Sequence, residues 1–403
     1  MEETLSKIKQ EIALLPKEEL ASMGKSGKSL FIGIPKDTDY QESRIPLTPN
    51  SVESLINKGH RVVIETGAGE GAFFADKDYL DVGADVVFSK DDVYKAEIIV
   101  KASPVHPAEL SLLQAQQVIF APILLPKLAA PHLKSMMEKR VTALAFEYIK
   151  GEYDTYPFLR SMSEIAGNYA ILTAAKYLSN EYGKGMLLGG ITGHPPTKVV
   201  ILGAGSVGEA AARAALGLGA RVQVFDDNIS RLMRLQNDLG RRIYTSVLDS
   251  GNLKDKLSRA HVVIGALKPV NGRTPCIVTE EMVAGMKEGS VIIDVSIDHG
   301  GCFATSRVTD HKDPVYKKHG VMHYCVPNMT SNVSRTASYA LSNIITPIIK
   351  NMAESGGIDN YIRSNHGFRH GAYLYKGALT KEFLAKKFDL KHTNLELLLS
   401  DDF

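Results

Sequence analysis

A glycine-rich turn in the second half of the chain carries the strongest chemical signal of the sequence. The apolar run KVVIL is followed by Gly203, Ala204, Gly205, Ser206, Val207 and Gly208 and then by an alanine-rich helical pattern. In a strand–turn–helix setting, the first glycine permits the tight turn, the second lets the backbone approach a pyrophosphate, and the third lets helix and strand pack closely. Phosphates then lie at the positive N-terminus of the helix. The segment predicts a dinucleotide-binding site.

A carboxylate follows the next predicted strand. Asp226 comes directly after the run RVQVF, 23 positions after Gly203. This is close to the ~20 residues that separate such a turn from the carboxylate that binds the adenosine ribose. A carboxylate there repels a 2′-phosphate and favours NAD over NADP, although Arg231 and Arg234 nearby weaken that preference. Alternatively, the glycines form an ordinary strand–helix turn and Asp226 caps the next helix.

Two later strand ends belong to the same half of the chain. The run HVVIGA ends near Leu267, and the run SVIIDV is followed by Asp298 and two glycines. Ligands of open α/β sheets bind beyond the carboxyl ends of the strands, so both ends are expected at the crevice that holds the dinucleotide. We expect Asp298 beside the nicotinamide ring. The alternative for Asp298 is a side chain that only stabilises its own turn.

Short β-rich runs alternate with helical segments along most of the chain. The pattern predicts an α/β protein with two doubly wound parallel-sheet (Rossmann-like) domains. Residues 1–28 are predicted to be an N-terminal helical extension, residues 29–157 and 335–403 one domain, and residues 158–334 the dinucleotide-binding domain. After Asn332 only helices and a polar tail are expected.

Composition excludes several classes of function. The net charge is +2 with both signs dispersed, which argues against a nucleic-acid partner. Apolar runs are too short for a membrane helix, and the chain starts without a secretory signal, so a cytoplasmic protein without a membrane partner is expected. The three cysteines lack CxxC spacing, so neither a disulfide framework nor a metal site is predicted.

Several blocks of sequence together resemble alanine dehydrogenase and the related nucleotide-binding subunit of transhydrogenase. The blocks are IPK and RIPLTP near residue 40, ETGAGE at 65, RSMSEIAG at 160, GGITGHPP at 189, the glycine turn, IDVSIDHGGC at 293 and HYCVPN at 323. The resemblance covers about residues 30–380, and the last two blocks are more similar to alanine dehydrogenase than to transhydrogenase.

The resemblance implies reversible, NAD-dependent oxidative deamination of L-alanine to pyruvate and ammonia by a homo-oligomer with its pocket between the domains. It assigns Arg44 to the substrate carboxylate, which suits a bidentate guanidinium. A surface arginine is the alternative. The resemblance places Ser163, Leu267, Asp298 and Asn328 near the nicotinamide. Alternatively, Ser161 and Ser163 belong to a capping box that starts a helix, and Asn328 merely ends a strand.

Two positions depart from the family pattern. The resemblance implies a substrate-binding lysine where this chain has Ser103, or Ala102 if the alignment slides by one, and a proton-transferring histidine where it has Leu124. Residues i and i+2 of a strand point to the same face, so Lys101 is a candidate to supply the missing ammonium. A solvated lysine is the alternative. His106 and Lys127 are weaker replacement candidates.

The sequence leaves three functions open. The first is an amino-acid dehydrogenase in which Asp298 and Lys101 act catalytically along an altered proton path. The second is a non-catalytic NAD(H)-binding regulatory relative, because both departures affect substrate chemistry. The third is a soluble transhydrogenase-type subunit that passes hydride to another polypeptide.

Overall fold

The computed structural model describes residues 27–400, except for Tyr40, Pro126, Lys127, Glu152, Tyr153 and Asn271. All but the last two residues of the predicted N-terminal extension, and the candidate Lys127, therefore lie outside the described residues.

Fifteen strands of the described chain form two sheets. The strands are β1 (Phe31–Ile34), β2 (Arg61–Glu65), β3 (Asp85–Val87), β4 (Ile98–Val100), β5 (Val118–Ala121), β6 (Thr142–Ala145), β7 (Lys198–Leu202), β8 (Arg221–Phe225), β9 (Tyr244–Ser246), β10 (Val262–Gly265), β11 (Val291–Asp294), β12 (Val315–Lys318), β13 (Val321–Tyr324), β14 (Ala372–Tyr375) and β15 (Ala378–Leu379). The first sheet has the order β15-β14-β6-β5-β4-β1-β2-β3, and the second has the order β12-β13-β11-β10-β7-β8-β9. The β12–β13, β14–β6 and β14–β15 pairs are antiparallel and the others are parallel.

In each sheet, successive strands are added first toward one edge and then, after a single reversal, toward the other edge. The first sheet grows from β1 through β2 to β3 and then restarts on the other side with β4, while the second does the same at β7 and β10. Ligand crevices of open α/β sheets form beyond the carboxyl ends of the strands at such switch points. The fold therefore provides two equivalent places for a site, one after β1 and β4 and one after β7 and β10.

The helices fill the spaces between the strands. They are α1 (Pro49–Ile56), α2 (Asp76–Leu80), α3 (Lys90–Val93), α4 (Ala130–Glu138), α5 (Pro157–Leu178), α6 (Ser206–Gly217), α7 (Ile229–Leu239), α8 (Ser250–Ser258), α9 (Glu280–Ala284), α10 (Ser334–Glu354), α11 (Ile358–Ser364), α12 (His366–Arg369), α13 (Glu382–Phe388) and α14 (Leu395–Ser400). Gly167 of α5 lies so close to the backbone of Val207 in α6 that a Cβ atom would collide with it. Buried Ile345 and Ile349 of α10 join the core of the first sheet.

The prediction of two doubly wound sheets is confirmed, with antiparallel edge strands added. The expectation of helices and a tail alone after residue 332 is wrong, because β14 and β15 form a hairpin on the first sheet. Lys376 and Gly377 connect them with φ values of 48° and 86°. Positive φ at both central residues is the geometry of the tightest hairpin turns, so this dipeptide was the missed signal.

Two further points concern membrane-spanning helices and the domain limits. No helix of the described residues is long and apolar enough to cross a membrane. The domain limits at residues 28, 157 and 334 stay a prediction.

Candidate functional site

The three glycines of the turn after β7 differ in what surrounds them. Gly203 has a φ of 114°, and a Cβ atom on it would collide with the Ala266 carbonyl. A Cβ atom on Gly208 would collide with the Gly203 carbonyl, whereas one on Gly205 would meet no atom within 4 Å. The fold thus requires Gly203 and Gly208 for its own packing, while Gly205 leaves open space above the turn, which suits a pyrophosphate.

Helix α6 begins at the edge of this open space. Gly205 is its N-cap residue and offers no side-chain hydrogen bond to the first turn. Ala204 is fully buried, whereas Ser206 and Val207 are half-buried. The first amides of a helix have no partner within the helix, so they are available to an anion.

Asp226 is held against the turn rather than against its own helix. Its Oδ2 accepts from the Ala204 amide at 2.7 Å and its Oδ1 from the Asn228 amide at 2.8 Å. Asn228 caps α7, so the alternative in which Asp226 is the cap is wrong. Arg231 Nη1 lies 3.4 Å from Oδ1, and Arg234 donates to the Ala204 carbonyl at 3.0 Å. Arg231 therefore borders the carboxylate, and Arg234 borders the turn to which the carboxylate is bonded.

The residues predicted near the nicotinamide follow β10, β11 and β13. Asp298 is exposed, and its Oδ1 accepts from the Asn328 amide at 2.9 Å. Asn328 adopts a left-handed backbone with a φ of 53°, which asparagine tolerates better than most residues. The Leu267 carbonyl accepts from Ser296 Oγ at 3.2 Å. The structure thus brings Asp298 and Asn328 together, with Leu267 bonded to the same loop as Asp298.

Ser163 lies inside α5 and not at a helix start. The helix begins at Pro157 after the N-cap residue Tyr156, so the capping-box alternative for this segment is wrong. Glu164 instead accepts from Arg160 Nε at 2.6 Å on the helix surface. The neighbouring residue Met162 reaches the crevice, where its sulfur lies 3.3 Å from Arg44 Nη1.

Sequence reasoning missed Asp294, which organises the loop that carries Asp298. Its buried carboxylate accepts from the Ser296 amide at 3.1 Å, from the Cys302 amide at 3.0 Å and from Ser306 Oγ at 2.6 Å. Burial raises the pKa of Asp294 to about 6 although these donors act against the rise. An acid at the end of a buried strand, ahead of two glycines, was the available signal.

Arg44 lies inside the crevice and not on the surface. Only 11% of its side chain is exposed, so the surface-arginine alternative is wrong. Its Nε and Nη2 donate to the two Glu42 oxygens at 2.7 and 2.5 Å, and Nη1 donates to Thr330 Oγ1 at 3.0 Å. Burial disfavours the charged guanidinium, but Glu42 and the more distant Asp37 and Asp298 outweigh burial and raise the pKa of Arg44.

Glu42 is a second residue that sequence reasoning missed, and it joins the two halves of the crevice. Its side chain is 1% exposed. Besides Arg44, it accepts from Asn328 Nδ2 at 3.1 Å and from Ser331 Oγ at 3.2 Å. A continuous set of hydrogen bonds therefore connects Asp298, Asn328, Glu42 and Arg44. The sequence pattern around Glu42 does not reveal this role. The role becomes visible only in the tertiary structure, where Gln41–Arg44 approaches the second half of the chain.

Helix α10 fixes the backbone that carries Arg44. The fully buried hydroxyls of Ser338 and Ser342 accept from the amides of Ile45 at 2.9 Å and Thr48 at 3.0 Å. The Ser43 amide donates to Ser331 Oγ at 2.6 Å. Three serines thus satisfy backbone donors of the segment that presents the guanidinium.

Lys101 is enclosed after β4, and 1% of its side chain is exposed. Its ammonium lies 2.6 Å from Asp37 Oδ1 and 2.8 Å from Glu109 Oε1. Ser103 Oγ donates to the same Asp37 oxygen at 2.6 Å, so both side chains do share one face. Burial disfavours the ammonium, but Asp37 and Glu109 raise the pKa of Lys101. This enclosure argues against direct contact with a substrate, and the solvated-lysine alternative is wrong as well.

Leu124, at the position of the missing histidine, and the replacement candidate His106 serve other contacts. Leu124 has a φ of 40°, and its amide donates to Glu147 Oε1 at 3.3 Å. His106 caps the short helix Pro107–Glu109, with Nδ1 accepting from the Ala108 amide at 3.2 Å. Its ring is therefore already used by its own turn.

Comparison with known proteins agrees with this geometry. Residues 33–166 match the model of the alanine dehydrogenase/PNT N-terminal domain, and residues 170–382 match that of the alanine dehydrogenase/PNT C-terminal domain. The alanine dehydrogenase of Bacillus subtilis (strain 168) is 38% identical over 376 residues, which cover 93% of this chain and 98% of that protein.

Two solved structures are similar to the whole described fold. A structure of an L-alanine dehydrogenase aligns with a TM-score of 0.81 and 38% identity over 88% of this chain and 98% of that chain. The transhydrogenase of Sinorhizobium meliloti aligns with a TM-score of 0.74 over 87% of this chain and 99% of that chain, and its 23% identity supports the fold alone. From both family models and the near-complete relatives, this chain belongs to the alanine dehydrogenase/PNT family.

Proposed function

We propose that this protein catalyses the reversible, NAD-dependent oxidative deamination of L-alanine, or of a related small amino acid, to the oxo-acid and ammonia. The observation that carries the proposal is the hydrogen-bonded set from Asp298 to Arg44, which links the cofactor half of the crevice to a buried guanidinium. Family membership supports the same reaction.

The cofactor half fits NAD. The space above Gly205 would take the pyrophosphate against the start of α6, with Gly203, Ala204, Ser206, Val207 and Gly208 forming the turn. Asp226 would accept from the adenosine ribose, for which each of its oxygens retains acceptor capacity. Leu267, Asp298, Asn328 and Ser163 would surround the nicotinamide. Bound NAD would take the hydride from the α-carbon of the substrate.

The substrate half would use Arg44 to hold the carboxylate of the amino acid. A guanidinium has five N–H donors in a planar fork, and Glu42 and Thr330 occupy three of them at full strength. Glu42 would keep the fork oriented while the remaining donors meet the substrate. Asp298, beside Asn328, would face the amino group and favour its positive charge as the iminium forms.

The residues at the two altered positions, Ser103 and Leu124, would change the path by which protons leave the active site. Ser103 and Leu124 cannot bind a carbonyl as an ammonium or exchange protons near neutral pH, so this proton path differs from the one that the family resemblance implies. We revise the role of Lys101 accordingly. Enclosed by Asp37 and Glu109, it would act as a positioning residue that holds the end of β4 and Ser103 in place, without touching the substrate.

A coenzyme-linked assay tests the proposal. Purified protein given L-alanine and NAD should produce reduced nicotinamide absorbance, and pyruvate with ammonia should consume it. Serine, glycine and their oxo-acids extend the assay to near relatives. Absence of turnover with all of them, at several pH values, would remove the dehydrogenase proposal.

A non-catalytic NAD(H)-binding regulator is the second candidate, and the enclosure of Lys101 together with Leu124 favours it. It predicts tight NADH binding by fluorescence titration without turnover of any amino acid. A transhydrogenase-type subunit would instead pass hydride between two nicotinamide cofactors in the presence of a partner polypeptide. The same assay, with a second nicotinamide cofactor as acceptor, separates these functions.

We further propose that the protein works as a cytoplasmic homo-oligomer. Residues 29–157 with 335–403 would form the substrate domain, and residues 158–334 the NAD domain, with the N-terminal extension before them. Joining of β14 and β15 to the first sheet supports this division. Light scattering of the purified protein would give the subunit number, and a monomer would contradict the oligomer.

A further inference from the structure

His311 lies at the point where the two halves of the crevice meet. Its backbone amide donates to Gln41 Oε1 at 2.7 Å, next to Glu42 in the segment that presents Arg44. On its other side its ring lies against the backbone of Asn328, whose amide is bonded to Asp298. The ring is therefore adjacent to groups that we propose to bind the substrate and the nicotinamide.

The ring nitrogens of His311 are buried and poorly satisfied. Neither nitrogen makes a hydrogen bond of normal geometry within the described part of the chain, although the Asn328 backbone is near enough to favour the protonated ring. Buried polar atoms are nearly always hydrogen-bonded, so an exception in a crevice indicates a partner that arrives with water or ligand.

The charges around His311 leave it neutral near pH 7. Burial lowers its pKa, while the Asn328 backbone, Asp310 on its own loop and Glu42 on the facing segment raise it less. Arg44 is already paired with Glu42, which reduces its effect on the ring. Asp298 is bonded to the same residue, Asn328, whose backbone lies against the ring. A neutral imidazole has one nitrogen lone pair that can accept a proton.

We infer that His311 accepts the proton that the altered residue at position 124 cannot accept. This inference rests on the proposed dehydrogenase function. As water adds to the iminium, its oxygen bonds to the α-carbon and the C=N π electrons move to nitrogen. The water proton passes to the imidazole, which leaves a neutral carbinolamine and a cationic ring. His311 reaches the reacting water directly or through one further water molecule.

The substitution His311→Asn removes the imidazole that would accept the proton and keeps a polar side chain of similar width. We expect kcat for L-alanine to fall about 100-fold, in line with the loss of a general base, while the Kd for NADH stays unchanged. Wild-type kcat/KM should decline on the acid side as the ring becomes protonated, and this decline should vanish in the variant. His319→Asn is the matched control, because His319 pairs with Glu280 on the surface.

Chemical rescue separates proton transfer from a structural role. Imidazole added to His311→Ala should restore part of the lost kcat, and the restored rate should follow the concentration of the neutral base. Unchanged kcat and an unchanged acid limb in His311→Asn, or loss of NADH binding without rescue in His311→Ala, would overturn the inference and leave the proposed function standing. Wild-type protein without turnover would overturn the proposed function and this inference with it.

Discussion

The turn after β7 and the strand ends after β1 and β4 occupy equivalent places in their sheets but are used differently. In the second sheet a Cβ atom added at Gly205 would meet no atom of the described residues within 4 Å. In the first sheet Asp37 accepts from Lys101, from Ser103 Oγ and from the amides of Ala102 and Ser103 at 3.2 Å each. The switch point of the second sheet has the space that we propose for a ligand, and that of the first sheet is filled by side chains of the protein itself.

This difference shows why topology alone does not locate a substrate. At the filled switch point the charged groups are paired with one another, whereas Arg44 bonds to Thr330 of the second half, and we propose that it binds the substrate. The following substitutions test whether the open and filled regions have the separate roles that their contacts indicate.

The largest effect on activity is expected at Arg44. Arg44→Lys keeps a positive charge beside Glu42 but loses the planar fork, so kcat/KM for L-alanine should fall about 10²–10³-fold. The Kd for NADH, measured by fluorescence, should stay the same. Arg259→Lys, at an exposed pair with Asp255, is the control. Retained kcat/KM in Arg44→Lys would show that the carboxylate binds elsewhere.

Lys101→Met should destabilise the filled region by about 3–5 kcal/mol, because it removes the buried ammonium that bridges Asp37 and Glu109, although Glu109 keeps Lys90 at 3.2 Å. The raised pKa of Lys101 means that its stabilisation is complete below the unfolded pKa of ~10.4 and is lost as pH rises through the higher folded value. Urea unfolding at neutral and alkaline pH measures both effects. Lys95→Met, at an exposed pair with Asp92, should change nothing. An unchanged urea midpoint in Lys101→Met would refute the buried network.

Two glycine substitutions should have opposite consequences. Gly205→Val adds volume where the protein has space, so thermal stability should hold while the Kd for NADH rises about 10–100-fold, equivalent to ~1–3 kcal/mol of overpacking against the ligand. Gly203→Ala should lower the melting temperature, because its φ of 114° and the Ala266 carbonyl oppose a side chain. Gly217→Ala, with no atom within 4 Å of the added carbon, is the control. Unaltered NADH binding in Gly205→Val would place the pyrophosphate elsewhere.

The last expected effect is a pH dependence of stability at Asp294. Its pKa of about 6 exceeds the unfolded value of ~3.9, so the folded state binds the proton more tightly and loses about 2–3 kcal/mol as pH rises from 4 to 6. Asp294→Asn should flatten this dependence in melting temperatures taken across that range. Asp227→Asn, an exposed carboxylate, should leave it intact. A variant that keeps the full slope would show that another group titrates.

The sequence predicted the sheets well where strands are continuous apolar runs, and it located the glycine turn because its residues are contiguous. It missed β14 and β15, whose hairpin turn Lys376–Gly377 lies in a stretch for which only helices and a polar tail were expected. Family resemblance supplied Arg44 but no reason for Glu42, since that carboxylate acquires its role only by meeting Asn328. The sequence could not show that Lys101 is enclosed, because its partner Asp37 follows a different strand.

By itself the sequence determined the hydrophobic periodicity of the helices and strands, the glycine turn and the carboxylate that follows it, because these features depend on neighbours along the chain. Only the tertiary structure decided which charged groups stay available to a ligand. Burial and pairing are set by residues far apart in sequence, and the same lysine is a ligand in an open crevice or a structural cation between two carboxylates.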